Sequence, residues 1–264
     1  MKGFNFVAVV ICSIMFANCS SLQNTTQQTV NGRIVEHVVK GNGKVSIVLE
    51  TGMGPTIDTW RNILDTLSTV SKVYAYNRPG YGTSSLHNPP FTVTDVAKQL
   101  HDNLKSSNIP PPYLLVGHSA GGLYINMFAR LFPDEVAGVI FLDASHPQQF
   151  EYFKNEQQLL YNTLTLSIKK STRKYELDIV KNTLSDFEKA PPFPKVPISV
   201  LTAGKKSSFL ESNEMRQQWL IFQKELSQLS PKSNHIIVEG SGHYIHQNRP
   251  DVVIEEIKRI LDNK

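Results

Sequence analysis

The stretch Leu114-Leu115-Val116-Gly117-His118-Ser119-Ala120-Gly121-Gly122 constrains the fold most. An apolar, β-rich run passes directly into Gly-x-Ser-x-Gly, and a helical pattern starts at Leu123. A strand that turns into a helix within so few residues brings the two elements very close together. Gly117 and Gly121 allow that approach, and the serine between them is placed on a sharp, strained turn with its hydroxyl above the sheet. The helix N-terminus behind it favours negative charge, and the backbone N–H of Ala120 can bind a developing oxyanion. Ser119 is therefore the candidate nucleophile and Ala120 a candidate oxyanion donor.

The rest of the chain alternates in the same way. Strand candidates are Arg33–Val39, Val45–Leu49, Lys72–Tyr76, Tyr113–Gly117, Val139–Leu142, Ile198–Ala203 and His235–Glu239. Several are continuous apolar runs, such as Val139-Ile140-Phe141-Leu142, which suit a parallel sheet covered on both faces. Between them lie the helix-length segments Thr59–Val70, Thr94–Ser107, Ala120–Phe132, Glu211–Leu229 and Asp251–Leu261. This alternation predicts an α/β fold with right-handed crossovers. One region departs from it. Residues 148–194 are polar and helix-like, with Leu159, Leu160, Leu164 and Leu166 near Tyr152, Phe153 and Tyr161, and they end in a proline cluster. They are expected to form a small helical lid, shaping an apolar acyl pocket, between core segments 33–147 and 195–264.

Charge and cysteine usage narrow the function classes. In 264 residues, 27 basic against 23 acidic side chains leave a net charge of +4. The basic residues are spread along the chain, without the dense stripe that nucleic acid requires, so no nucleic-acid partner is expected. Pairs such as Lys169-Lys170 and Arg173-Lys174 suit a solvated face. The only cysteines, Cys12 and Cys19, lie near the start, so the body has no internal disulfide, Cys-based metal site or Cys nucleophile. No P-loop, dinucleotide fingerprint or H-E-x-x-H is present, and neither cofactor nor metal is implied.

The first residues read as a leader. Lys2 precedes Phe6–Ala17, whose twelve apolar or small residues span about 18 Å as a helix, short of the ~30 Å hydrocarbon core. A signal peptide over 1–18 fits, with a polar tether over 19–32. Met15-Phe16-Ala17-Asn18-Cys19 resembles a bacterial lipobox, with Asn18 where a smaller residue is usual. That resemblance implies export with lipidation at Cys19 and a membrane anchor; a soluble exported protein is the alternative.

With Gly-His-Ser-Ala-Gly in this setting, the sequence resembles the α/β-hydrolase family over nearly all of Arg33–Lys264. The resemblance implies a mostly parallel sheet with helices on both faces and a helical lid. Thr51-Gly52-Met53-Gly54 follows a strand where the family places an oxyanion loop, so Met53 would donate the second N–H. Glu50-Thr51 stands where a histidine is usual. Asn77-Arg78-Pro79-Gly80-Tyr81-Gly82-Thr83-Ser84 matches the D-R-x-G-x-G-x-S loop with Asn77 for aspartate, and is given a structural role. Gly240-Ser241-Gly242-His243 matches the histidine loop, making His243 the general base, with His246 a residue that lines the site. Asp143, at the end of a strand, is read as the acid, with Glu211 the alternative; either preserves the order Ser, acid, His.

These readings imply a serine hydrolase that cleaves a small-molecule carboxylic ester. The alternatives are an aminopeptidase of the same fold, with Glu50 or lid glutamates gripping the substrate amine, and a catalytically silent tethered binding protein.

Overall fold

The computed structural model describes residues 22, 24–168, 174–206 and 211–262. The leader, Cys19 included, and residues 169–173 of the basic stretch lie outside the described residues. Among the described residues no helix is long and apolar enough to cross a membrane.

Eight strands form one sheet: β1 (Thr26–Val30), β2 (Arg33–Lys40), β3 (Ser46–Glu50), β4 (Lys72–Tyr76), β5 (Tyr113–His118), β6 (Val136–Leu142), β7 (Ile198–Ala203) and β8 (Ser233–Val238). Their order is β1-β2-β4-β3-β5-β6-β7-β8. β2 pairs antiparallel with both β1 and β4; all pairings from β4 to β8 are parallel.

The core helices are α1 (Arg61–Ser68), α2 (Val93–Ser106) and α3 (Gly121–Leu131). Between β6 and β7 lie α4 (Gln149–Glu156), α5 (Gln158–Ile168), α6 (Lys174–Lys181) and α7 (Thr183–Glu188). The chain ends with α8 (Asn213–Ser227), α9 (Ile245–Asn248) and α10 (Pro250–Asp262).

Strand side chains alternate between two apolar layers, as the pleat requires. Val48 and Leu115 join the layer built with α2 and α3, while Ile47, Leu49, Leu114 and Val116 join that built with α1 and α10. Burial on both faces explains why the central strands read as unbroken apolar runs.

Two expectations are corrected. The tether over 19–32 is not free throughout, because Thr26–Val30 pairs with Arg33–His37 as an edge hairpin. Asn31 (φ 50°) and Gly32 (φ 76°) form its two-residue connection, and positive φ at both is what Asn-Gly supplies in such turns. The inserted leucines do not all face inward either. Leu159 is 78% exposed and Leu166 66%. Seven residues apart, they share one face of α5, and that face is turned to solvent.

Candidate active site

Strand register brings the candidate residues to one edge of the sheet. Glu50 at the end of β3 lies opposite Gly117 of β5, His118 opposite Leu142 of β6, and Leu142 opposite Leu201 of β7. The chain then leaves each strand at its carboxyl end. Between β3 and β5 the strand order reverses, and such switch points open a crevice outside the carboxyl ends. The loops carrying Met53 and Ser119 flank it.

Ser119 has φ 52°, a left-handed conformation uncommon for a side-chain-bearing residue. The turn around it is tied down. Its N–H donates to Leu142 O at 3.1 Å, and its carbonyl accepts from Gly122 N and Ser145 N, both at 2.9 Å. A Cβ on Gly117 would sit 2.7 Å from Ile125 Cδ1, and one on Gly121 would run into the Glu50 carbonyl, so both glycines are required by close packing. Gly52 lies against the nucleophile, where an added Cβ would be 3.1 Å from Ser119 Cβ.

Asp143, the first residue after β6, also has positive φ, 42°. It is fully buried. Its Oδ2 accepts from His243 Nδ1 at 2.7 Å, while Oδ1 accepts from Trp219 Nε1 at 2.8 Å and Ala203 N at 3.0 Å. Burial pushes the Asp143 pKa up, but the His243 hydrogen bond and charge, with the Trp219 and Ala203 donors, outweigh it, and the carboxyl is held below its ordinary value. With Nδ1 donating to Asp143, Nε2 of a neutral His243 is the free base.

The other acid, Glu211, lies 4.0 Å from Arg216 Nη1. Of the two candidate carboxylates, His243 meets Asp143. The Ser119 hydroxyl makes no hydrogen bond to a described residue. In free enzymes such contacts often tighten only when substrate binds.

A conserved-domain pattern described as the alpha/beta hydrolase fold matches residues 45–170. The chain is 27% identical over 224 residues to the uncharacterised protein YqjL of Bacillus subtilis, covering 81% of this chain and 82% of that one. A thermophilic esterase from Thermogutta terrifontis superposes with a TM-score of 0.65 at 15% identity, covering 91% of this chain and 98% of that one. The enol-lactonase of Burkholderia xenovorans LB400 does so with a TM-score of 0.65 at 17% identity, covering 90% and 100%. The chain has the α/β-hydrolase fold.

In this α/β-hydrolase fold the residues around the pair are packed, not open to the crevice. His118 is buried, and its Nε2 contacts the His243 carbonyl oxygen at 3.0 Å. Burial, then the charges of His243 and His246, push its pKa well down, so it is neutral and Nε2 donates. His246, expected to line the site, is instead fully buried below it. Its ring packs at a tilt against Trp60 with ring centres 4.4 Å apart, and it meets Thr59 Oγ1 at 2.8 Å.

Among the described residues the Met53 and Ala120 amides have no hydrogen-bond partner, which leaves two donors at the crevice. Glu50, offered by the sequence as a grip for a substrate amine, is buried and engaged by Arg78 and by the Tyr76 hydroxyl at 2.7 Å.

The sequence did not reveal three residues that shape the site. Trp219 on α8 is the second side-chain donor to Asp143, and nothing in a polar helix pattern marks it. Arg78, given only a structural role, and Glu176 on α6 form a buried ion pair beside the Met53 loop. The signal available for Arg78 was its place two residues past β4 at the same sheet edge.

Proposed function

We propose that the protein is a serine hydrolase that cleaves carboxylic esters through an acyl-enzyme. The observation that carries this reading is the hydrogen bond from His243 to the buried Asp143 at the sheet edge, beside a serine held at positive φ on a strand-to-helix turn. Ser119 Oγ attacks the ester carbonyl carbon while His243 Nε2 takes the hydroxyl proton. The oxyanion that forms is met by the Met53 and Ala120 amides. Collapse breaks the carbonyl–alkoxy bond, and His243 returns the proton to the departing alcohol. Water, deprotonated by His243, then attacks the acyl-enzyme, and the acid leaves as Ser119 recovers its proton. Asp143 keeps the Nδ1–H tautomer and balances the imidazolium charge. An esterase and an enol-lactonase among the structural neighbours support an ester substrate. The engagement of Glu50 by Arg78 disfavours the aminopeptidase alternative.

The test is hydrolysis of p-nitrophenyl esters from acetate to palmitate. Ser119→Ala is expected to lower turnover by at least roughly a thousandfold, while the wild type shows a clear optimum in chain length. A folded wild type inactive on every ester overturns the reading.

The domain is further read as exported and lipid-anchored, on the strength of Lys2, the apolar run and Cys19. Labelled palmitate should be incorporated by the full chain in bacteria and lost in Cys19→Ser. Equal labelling of both removes the anchor.

A further inference from the structure

We infer that Arg78 is a positioning residue for the oxyanion loop, and that Glu176 couples the inserted helices to that loop by serving as its counter-ion. The inference rests on the hydrolase reading above. It concerns a cluster that the triad does not use.

Arg78 follows β4 by two residues and is 2% exposed. Every nitrogen of its guanidinium is committed. Nη1 reaches the Glu50 carboxylate and, at 2.9 Å each, the Thr51 carbonyl and hydroxyl. Nη2 donates to the Gly52 carbonyl at 2.6 Å. Nε donates to Glu176 Oε1, and Tyr124 lies under the cation at 5.1 Å.

The Gly52 contact carries the argument. The Gly52 carbonyl and the Met53 N–H belong to one planar trans peptide, so they point in opposite directions. A guanidinium that holds the carbonyl therefore turns the Met53 N–H away from itself. Gly52 in turn lies directly against Ser119. A flexible glycine loop is thus fixed in one orientation by a fork that spans two successive carbonyls, which a lysine could not reproduce.

Glu176 brings in the inserted segment. It belongs to α6, lies 98 residues from Arg78 in sequence, and is fully buried. Its second oxygen accepts from the Tyr81 hydroxyl at 2.5 Å. The neighbouring Tyr175 hydroxyl donates to Pro79 O at 2.8 Å, so α6 grips the Arg78 loop at two points. Two buried carboxylates on one guanidinium form a costly arrangement that well-packed apolar residues could replace without loss of stability. Its placement, with one end on the oxyanion loop and the other on the inserted helices, gives it a use beyond stability. Displacement of α6 would strip Arg78 of a counter-ion and loosen the Gly52–Met53 peptide.

The experiment compares wild type, Arg78→Lys and Glu176→Gln on the best p-nitrophenyl ester, with thermal melting as the folding check. The same proteins are titrated with a trifluoromethyl ketone, which forms an oxyanion-bearing adduct with the serine. Loss of a fixed oxyanion donor should lower kcat by roughly 100-fold in Arg78→Lys, with KM within twofold. Glu176→Gln should lose roughly tenfold. Ketone affinity should fall by the same factors as kcat/KM, a correspondence that general loosening of the fold would not produce. If Arg78→Lys does not fold, Glu176→Gln decides. Folded variants with kcat and ketone affinity within twofold of an active wild type remove this inference alone. A wild type inactive on every ester removes the hydrolase reading and this inference with it.

Discussion

At Asp143 an ionised carboxylate is fully buried, and three donors make that possible: His243 Nδ1, Trp219 Nε1 and Ala203 N. Only the first of these donors belongs to His243. The other two hold the carboxylate in place and favour its charge. This predicts a separation between the two candidate acids. Asp143→Asn preserves the shape but reverses the hydrogen-bond demand on Nδ1, so kcat should fall by roughly ten-thousandfold. Glu211→Gln leaves the Asp143–His243 contact in place and should stay within twofold of wild type in the same p-nitrophenyl ester assay. The opposite ranking would reassign the acid. The turns that present Ser119 and His243 were legible because glycines punctuate them. The choice between Asp143 and Glu211 was less so, because an aspartate ending a strand looks the same in sequence whether or not a histidine from a distant loop reaches it. Trp219 was invisible for the same reason: its contact closes over 76 residues.

The elements were legible where two local signals agreed. The central strands combine apolar runs with flanking turn residues, and their boundaries moved by only a few residues. Helix α2 begins at Val93 because Thr92 and Asp95 form a reciprocal cap, a pattern readable in the sequence though the helix was expected to start one residue later. β1 was missed because its residues, Thr26-Gln27-Gln28-Thr29-Val30, are polar and resemble a linker. It is an edge strand, whose outer face needs no apolar side chains, and the decisive signal was the Asn31-Gly32 turn that follows. The inserted helices show the converse error. Leucines in a helical pattern were assigned to a pocket, yet Leu159 and Leu166 are turned to solvent. Periodicity fixes which residues share a face of α5, and only tertiary packing decides where that face points.

At the scale of the whole molecule, the histidines that surround the site make folding sensitive to acid. His246 is completely buried, and burial followed by the nearby His243 charge lowers its pKa to about 3. Burial lowers His146, stacked on Phe222, to about 4. His118 is lowered well below its ordinary value. The unfolded chain protonates all three near pH 6.5, whereas the folded chain resists. The unfolded state therefore binds more protons as pH falls below about 6.5, and stability declines with acid. For His246 the loss starts there and is complete near its folded value of about 3. Asp143, held below its ordinary value, contributes a further loss that begins only below about pH 3.9. Each fully buried neutral histidine contributes at most roughly 1.4 kcal/mol per pH unit to the slope. Urea unfolding between pH 7 and 4 should show this decline in the wild type. In His246→Gln, whose amide can still meet Thr59 but takes up no proton, the slope should be shallower by up to roughly that amount. A variant slope equal to the wild-type slope would mean that His246 is not neutral in the fold. In that case the packing of Trp60, His246 and His118 beneath the His243 loop would not be the origin of the acid response.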